Sequence, residues 1–390
     1  MEQELNDIFN IGIDDVPERC EHHEEPQEEE RKVFNLPPAE ERYERAWKWY
    51  KETMGNPRYF AAPMVGASEL AFRMMVRDLG ADVCSTPMID AAGFAYNESY
   101  RRQFRFEERD RPLIVQICGN NPTHLVAAGL ALQDHCDAIE VNMGCPQYCA
   151  RSHGYGAFLM EKHDLVREIF CSLSTALRVP VLCKTRIFKT WEQTKELCLL
   201  VQGSGVACLT IHGRTRQQKR AATKPADWDV IKRIKELVQI PVVSNGNVLH
   251  HEDLDRCLAY TGCDGVMSAC GLLADPSLFL AASPRAPRVQ MCRSYLEYAE
   301  KYAASNGQVG KHVYSILRSL LRRNKELSLI VNSFRYEVDL TVEQLALVTA
   351  HSPECAALPF RDDGKRAVHL ADVVAVVDLV ELGLAGEPGA

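Results

Sequence analysis

The chain has no run of apolar residues long enough to cross a bilayer, because its most hydrophobic late stretch, 370–384, is interrupted by Asp372, Asp378 and Glu381. It does not open on a basic segment followed by an apolar one, so neither export nor membrane anchoring is expected. Its fifteen cysteines include no Cys-x-x-Cys pair and no His/Cys grouping at zinc-finger spacing, so no metal is expected. An odd number of cysteines scattered through apolar periodic stretches reads as reduced thiols in a reducing compartment, cytoplasmic or nuclear. Internal repeats are also absent.

The formal net charge of −8 is unevenly spread: residues 1–30 hold 12 Asp/Glu against one Arg, which leaves the remainder at +3. The tail, taken as 1–40, reads as disordered acidic sequence. A mildly basic body is compatible with a phosphate-bearing partner without arguing for one. A hydrophobic fraction of 46% and a mean hydropathy of −0.21 are enough for a sizeable core.

Beyond residue 58, short β-branched or apolar runs alternate with segments of helical period, the signature of β-α units on a parallel sheet. Strands are expected at 59–64, 82–85, 113–117, 138–142, 181–185, 208–212, 242–245 and 265–268. Eight such strands in a segment near the ~250 residues that a (β/α)8 TIM barrel needs favour that α/β fold over a doubly wound sheet. Asn121 before Pro122 starts one helix, and Pro180 and Pro241 precede strands. Residues 38–53, with Trp47, Trp49 and Tyr50, are expected as a helix on the outside or base of the barrel. The catalytic domain is therefore placed at 41–283.

A linker with Pro284, Arg285, Pro287 and Arg288 leads into a smaller all-helical domain, 284–350, and a C-terminal extension, 351–390, without interpretable motif. In 311–325, Val313, Ile316, Leu317, Leu320 and Leu321 share one face, and Lys311, Arg318, Arg322 and Lys325 mark the other. A charge run alone reads as a solvated helix face. Behind a barrel of this kind, Arg318 and Arg322 become candidates for phosphate contact.

Chemistry in an α/β barrel gathers where strands end. There this chain carries Pro63-Met64, Gln116, Asn142 with Cys145, Lys184 with Arg186, His212 with Arg214, Asn245-Gly246-Asn247, and Ala269-Cys270-Gly271. A flavin accounts for several at once: Gln116 can pair with the edge of an isoalloxazine, and Lys184 can stabilise negative charge on the reduced ring. The alternative for Lys184 is an ion pair with a neighbouring strand carboxylate. The glycine-containing turns after the seventh and eighth strands suit a phosphate. Cys145 lies three residues past Asn142 in a loop that Gly154, Tyr155 and Gly156 would allow to move, and a neutral thiol can act as a general acid. Burial is the commoner fate of a cysteine taken alone. Cys149 is read as a bystander, and Arg186, Arg214 and Arg216 as a cationic rim suited to a phosphate-bearing substrate.

These residues resemble the tRNA-dihydrouridine synthase family over roughly 59–280. The resemblance is carried by Ala62-Pro63-Met64-Val65, Ser68-Glu69-Leu70-Ala71-Phe72-Arg73, Val115-Gln116-Ile117-Cys118-Gly119, Glu140-Val141-Asn142-Met143-Gly144-Cys145-Pro146-Gln147, Gly154-Tyr155-Gly156-Ala157-Phe158-Leu159, Lys184-Thr185-Arg186, His212-Gly213-Arg214-Thr215 and Ser244-Asn245-Gly246-Asn247. The Gly-Cys-Pro-Gln and Gly-Ala-Phe-Leu runs look most like the eukaryotic branch acting on D-loop uridines. The resemblance implies that Pro63, Met64, Gln116, Lys184, His212 and Asn245 to Asn247 hold FMN, that Asn142 orients the uracil and that Cys145 donates a proton. NADPH, or NADH, would be the reductant and tRNA the substrate; a monomer is expected. Ala269-Cys270-Gly271 departs from the Gly-Arg-Gly or Ala-Glu-Gly of many relatives, so a backbone contact to the flavin phosphate is expected there and a side-chain contact is not. Two rival readings are an FMN enzyme of a free pyrimidine, like dihydroorotate or dihydropyrimidine dehydrogenase, and a tRNA-binding relative that has lost activity.

Overall fold

The protein is described by a computed structural model over residues 34–219, 224–281, 286–322, 325–336 and 370–381. The acidic tail up to residue 33, Pro284 and Arg285 of the linker, and residues 220–223, 282–283, 323–324, 337–369 and 382–390 lie outside the described residues. From Phe34 onward the chain forms one compact unit.

Nine parallel strands run in chain order: β1 (Tyr59–Ala61), β2 (Val83–Ser85), β3 (Ile89–Asp90), β4 (Leu113–Cys118), β5 (Ala138–Met143), β6 (Val181–Arg186), β7 (Cys208–His212), β8 (Val242–Asn245) and β9 (Gly265–Ser268). β1 pairs with β2 and β9, β4 to β9 pair in sequence order, and β4 also pairs with both β2 and β3, so the sheet closes into a barrel. β2 and β3 lie along the same side of β4, at Leu113 to Ile114 and at Ile117 to Cys118. They are two pieces of one stave. Pro87 falls between them, and a residue without an N–H interrupts a ladder. The eight expected strands are all present; the first stops at Ala61, short of the expected residue 64, just before Pro63.

The outer layer is formed by α1 (Ala39–Lys48), α2 (Leu70–Asp78), α3 (Pro122–Leu132), α4 (His163–Ala176), α5 (Trp191–Gly203), α6 (Trp228–Leu237) and α7 (Glu252–Thr261). Their starts are chemically marked. Asn121 accepts from the N–H of Thr123 at 2.9 Å, Asp227 from that of Val230 at 2.9 Å, and Thr190 from that of Gln193 at 3.4 Å. Outward strand residues such as Ile139, Val141, Cys183, Leu209 and Ile211 pack against these helices. Inward ones, two residues apart on each strand, fill the lower lumen: Phe60, Val83, Ile114, Ala138, Leu182, Cys208, Val243 and Met267 meet Trp49, Tyr50 and Met54. The segment after α1 is therefore the floor of the barrel, held by Trp49 Nε1 on the Asp137 carbonyl at 3.1 Å and by Tyr50 Oη on that of Pro57 at 2.8 Å.

Among the described residues four further helices follow: α8 (Arg288–Lys301), α9 (Asn306–Leu321), α10 (Lys325–Tyr336) and α11 (Leu370–Glu381). A capping box at Ser305 and Gln308 starts α9. Its apolar face buries Val313, Ile316, Leu317 and Leu321, continuous with Val373, Val376, Val377 and Val380 of α11 and with Phe72, Met75 and Val76 of α2. The late hydrophobic stretch, unassigned from sequence, is thus a buried helix packed on α8, α9 and α10.

Candidate active site

Above the apolar floor, the same inward positions become polar. Gln116, Glu140, Thr210 and Asn245 are buried, as are Asn142 and Arg186 one step higher, while Lys184 is partly buried. The pairing register sets Gln116 beside Glu140, Asn142 beside Lys184, and His212 beside Asn245. Polar groups at this depth are tolerable only when they satisfy one another. Gln116 Nε2 donates to Glu140 Oε1 at 2.7 Å, and Asn142 Nδ2 donates to Gln116 Oε1 at 2.8 Å. Lys184 Nζ donates to Asn245 Oδ1 at 2.9 Å, and Asn245 Nδ2 donates to the Met267 carbonyl at 3.0 Å. Gln116 and Lys184 thus open on one lumen.

The electrostatics follow from burial. Burial brings the Lys184 ammonium down to about 8, with Glu140 opposing that shift. Burial pushes Glu140 up, against the pull of Lys184. His212 is driven down to about 2, first by burial and then by the cations of Lys184, Arg186 and Arg214. It is therefore neutral. Arg214 Nη1 lies 3.2 Å from His212 Nε2, and arginine can only donate, so the imidazole proton belongs on Nδ1.

Cys145 sits half-buried in the loop after β5, outside the packed core. Asn142 Oδ1 accepts from the backbone N–H of Gly144 at 3.0 Å and of Cys145 at 2.9 Å. Arg186 Nε donates to the Gly144 carbonyl at 2.7 Å, and the Ala157 N–H to the Cys145 carbonyl at 3.0 Å. Gly156 has φ +63°, and a Cβ on it would lie 2.7 Å from the Cys145 carbonyl. The glycine of the Gly-Tyr-Gly run therefore permits close contact, whereas the sequence suggested mobility. Burial also pushes the Cys145 thiol up, so it keeps its proton at neutral pH. Cys149 is exposed and accepts from Tyr155 Oη at 3.5 Å.

The three arginines at the mouth are engaged with protein. Arg186 also donates to the carbonyls of Thr215 and Gln218, each at 3.1 Å. Arg214 Nη2 donates to Asn247 Oδ1 at 2.6 Å, and Arg216 pairs with Glu161 at 2.9 Å over the ring of Phe158. After β8, Gly246 has φ +116° and stands where a Cβ would be 2.7 Å from that of Ala226 and 3.1 Å from His212 Cδ2. Ser268 Oγ donates to the Val248 carbonyl at 2.8 Å, which joins the end of β9 to the loop after β8. Ala269 is partly buried and Cys270 exposed at the start of the short turn Cys270–Ala274. Pro63 and Met64 follow β1, where the Met64 N–H donates to Ser68 Oγ at 2.9 Å. Arg318, on α9, and Arg322, at its C-cap, are exposed.

Two groups escaped the sequence reading. Glu140 is one; its only signal was the two-residue spacing from Asn142. The other is the buried contact of Glu69, before α2, with Tyr295 Oη at 2.9 Å and His312 Nε2 at 3.1 Å.

Fold and site define an α/β-barrel protein with a polar mouth, built from the ends of consecutive strands and bordered by the loop whose backbone carries Cys145. Residues 60–345 match the dihydrouridine synthase (Dus) family, and the chain belongs to it. It is 38% identical over 286 residues to a Mus musculus protein named tRNA-dihydrouridine(16/17) synthase-like, across 73% of this chain and 60% of that one. A Schizosaccharomyces pombe tRNA-dihydrouridine(16/17) synthase is 38% identical over 283 residues, across 69% of this chain and 71% of its own. A Mus musculus tRNA-dihydrouridine(20a/20b) synthase-like protein is 40% identical over 223 residues, across 56% of this chain and 68% of its own. All three names carry NAD(P)+. The chain spans 60% of the length of the first of these relatives.

Proposed function

We propose that the protein reduces a D-loop uridine of tRNA to 5,6-dihydrouridine, with FMN as cofactor and NADPH, or NADH, as reductant. The feature that supports this reading is the lumen itself: amides, cation and neutral imidazole at adjacent strand ends, beside a loop in which the Cys145 backbone is held on three sides and its thiol keeps its proton. The donor set fits FMN. Gln116 and Lys184 would hold the polar edge of a flavin ring, and Pro63, Met64 and His212 would complete its binding residues. Asn247 spends its side chain on Arg214, so the phosphate would be met by backbone N–H groups of 245–247 and of the Ala269-Cys270 turn.

When bound, FMN would supply the hydride chemistry for C6 of the uracil, with the reduced nicotinamide as the source of the electrons. The protein supplies the rest. Cys145 gives its thiol proton to C5, and a thiol held above its ordinary range stays loaded for that step. Asn142 Nδ2 keeps one weak contact, to Met88 Sδ at 3.5 Å, which a uracil carbonyl can replace. Arg186 and Arg214 fix the loops that shape the mouth for a base swung out of an RNA loop. Arg318 and Arg322 contact phosphates.

The test is mass spectrometry of tRNA incubated with protein, FMN and NADPH. A two-hydrogen gain at one D-loop nucleotide is expected, and Cys145→Ala should keep the yellow cofactor while losing nearly all product. A free pyrimidine turned over without RNA would overturn the substrate assignment. Undiminished product from Cys145→Ala would remove the thiol from the acid role.

A further inference from the structure

Asn142 can hold the Cys145 loop only if its amide points one way. Its oxygen must face the N–H groups of Gly144 and Cys145, at 3.0 and 2.9 Å, and its nitrogen must then face Gln116. Gln116 can accept from Asn142 at 2.8 Å only because its own nitrogen is turned away, toward Glu140 Oε1 at 2.7 Å. An amide has a donor end and an acceptor end of nearly equal size, so either orientation packs equally well. Glu140 Oε1 removes that freedom, since it accepts from Gln116 in a fixed sense.

We infer that Glu140 is the positioning residue of this site: through Gln116 and Asn142 it sets the amide polarity that anchors the backbone of Cys145. Without it Gln116 is free to turn its nitrogen toward Asn142, where two donors would meet. Asn142 would then turn in its place, presenting its own N–H groups to those of Gly144 and Cys145, and the loop would lose its anchor. The carboxyl itself is fully buried, with Oε1 on Gln116 and the Thr210 side chain as a further polar neighbour. Burial pushes the group up, and the relay needs only the accepting oxygen, which a protonated carboxyl retains. Glu140 lies one layer below Cys145 and touches it at no point, so its role is indirect.

The inference rests on the proposed reaction for its consequence and on geometry for its content, so two readouts separate them. Hydrogen–deuterium exchange of the peptide carrying Gly144 and Cys145 needs no tRNA. In Glu140→Leu and Glu140→Met, which put apolar side chains of similar size in the lumen, exchange there should rise about tenfold or more while the β6 amides, 181–186, stay protected. Glu140→Gln can still offer an oxygen to Gln116 and should stay within about threefold of the parent. In tRNA reduction the Leu and Met variants should lose about a hundredfold in kcat with KM for tRNA little changed, and the Gln variant should recover most of it. Parental exchange at 144–145 in both apolar variants overturns the inference, as does a Gln variant as defective as they are. A rise in exchange across all barrel strands would also overturn it, making Glu140 a support of the fold. A parent inactive on tRNA, with the exchange pattern as expected, would sink the reaction and leave the relay standing.

Discussion

Lys184 shows what the site costs the fold. An ordinary lysine holds its proton to 10.5, whereas burial brings this one to about 8. Below pH 8 both folded and unfolded chains carry the charge, and the folded one bears the full penalty of burying it. Between about 8 and 10.5 the unfolded chain still binds a proton that the folded chain has released, so stability rises with pH through that window. Lys184→Gln keeps a donor for Asn245 and drops the charge. Its stability relative to the parent, from urea unfolding of cofactor-free protein, should be most favourable at pH 7 and decline steadily from pH 8 upward. On the proposed reading, in which Lys184 supports the flavin ring, retention of the yellow cofactor should fall at the same time. A stability difference that is flat with pH would show that Lys184 carries no burial penalty.

At the level of elements, α2 is fixed by charges the sequence did not advertise. Arg73 Nε lies 2.8 Å from Asp110 Oδ2 and Arg77 Nη2 lies 2.9 Å from Asp110 Oδ1, with Asp110 fully buried. Asp110→Ala leaves two guanidinium groups without their carboxylate and should cost ~3–5 kcal/mol, read as a lower urea midpoint at unchanged slope. A loss below ~1 kcal/mol would mean that water replaces the carboxylate. Strands were legible because each is a short β-branched or apolar run with turn or proline signals around it. α11 was not, since it is apolar around most of its circumference: three helices cover it, and no stripe marks a single buried face. β3 was too short to leave a pattern. The polar lumen was half legible: strand-end residues could be picked out by position, but which amide faces which carboxylate depends on register, and Glu140 looked like any strand residue. The Gly-Tyr-Gly run was legible as special, yet a glycine chosen for flexibility and one chosen for close approach read alike.

The whole molecule joins its helical segment to the mouth through polar contacts as well as through a shared core. Tyr295 and His312 grip Glu69 at the start of α2, Tyr298 Oη donates to Asp78 Oδ2 at 2.6 Å, and Lys311 Nζ donates to the carbonyl of Val65, one residue past Met64. Lys311, read from sequence as part of a basic stripe, is thus engaged by the β1 loop. Arg318 and Arg322 remain exposed and, four residues apart, project from one face of α9. Because Lys311 ties α9 to the loop after β1, a phosphate held by these arginines would stand at a set distance from that loop. That is what selecting one uridine of a folded RNA requires. Arg318→Ala with Arg322→Ala should weaken tRNA binding and reduce the slope of log K against log salt by about 1–2, the share of two phosphate contacts. At saturating tRNA the kcat should hold, because the pair is assigned to binding and not to the chemistry. A salt slope equal to the parent's would identify the pair as a solvated helix face and move the RNA contact elsewhere on the surface.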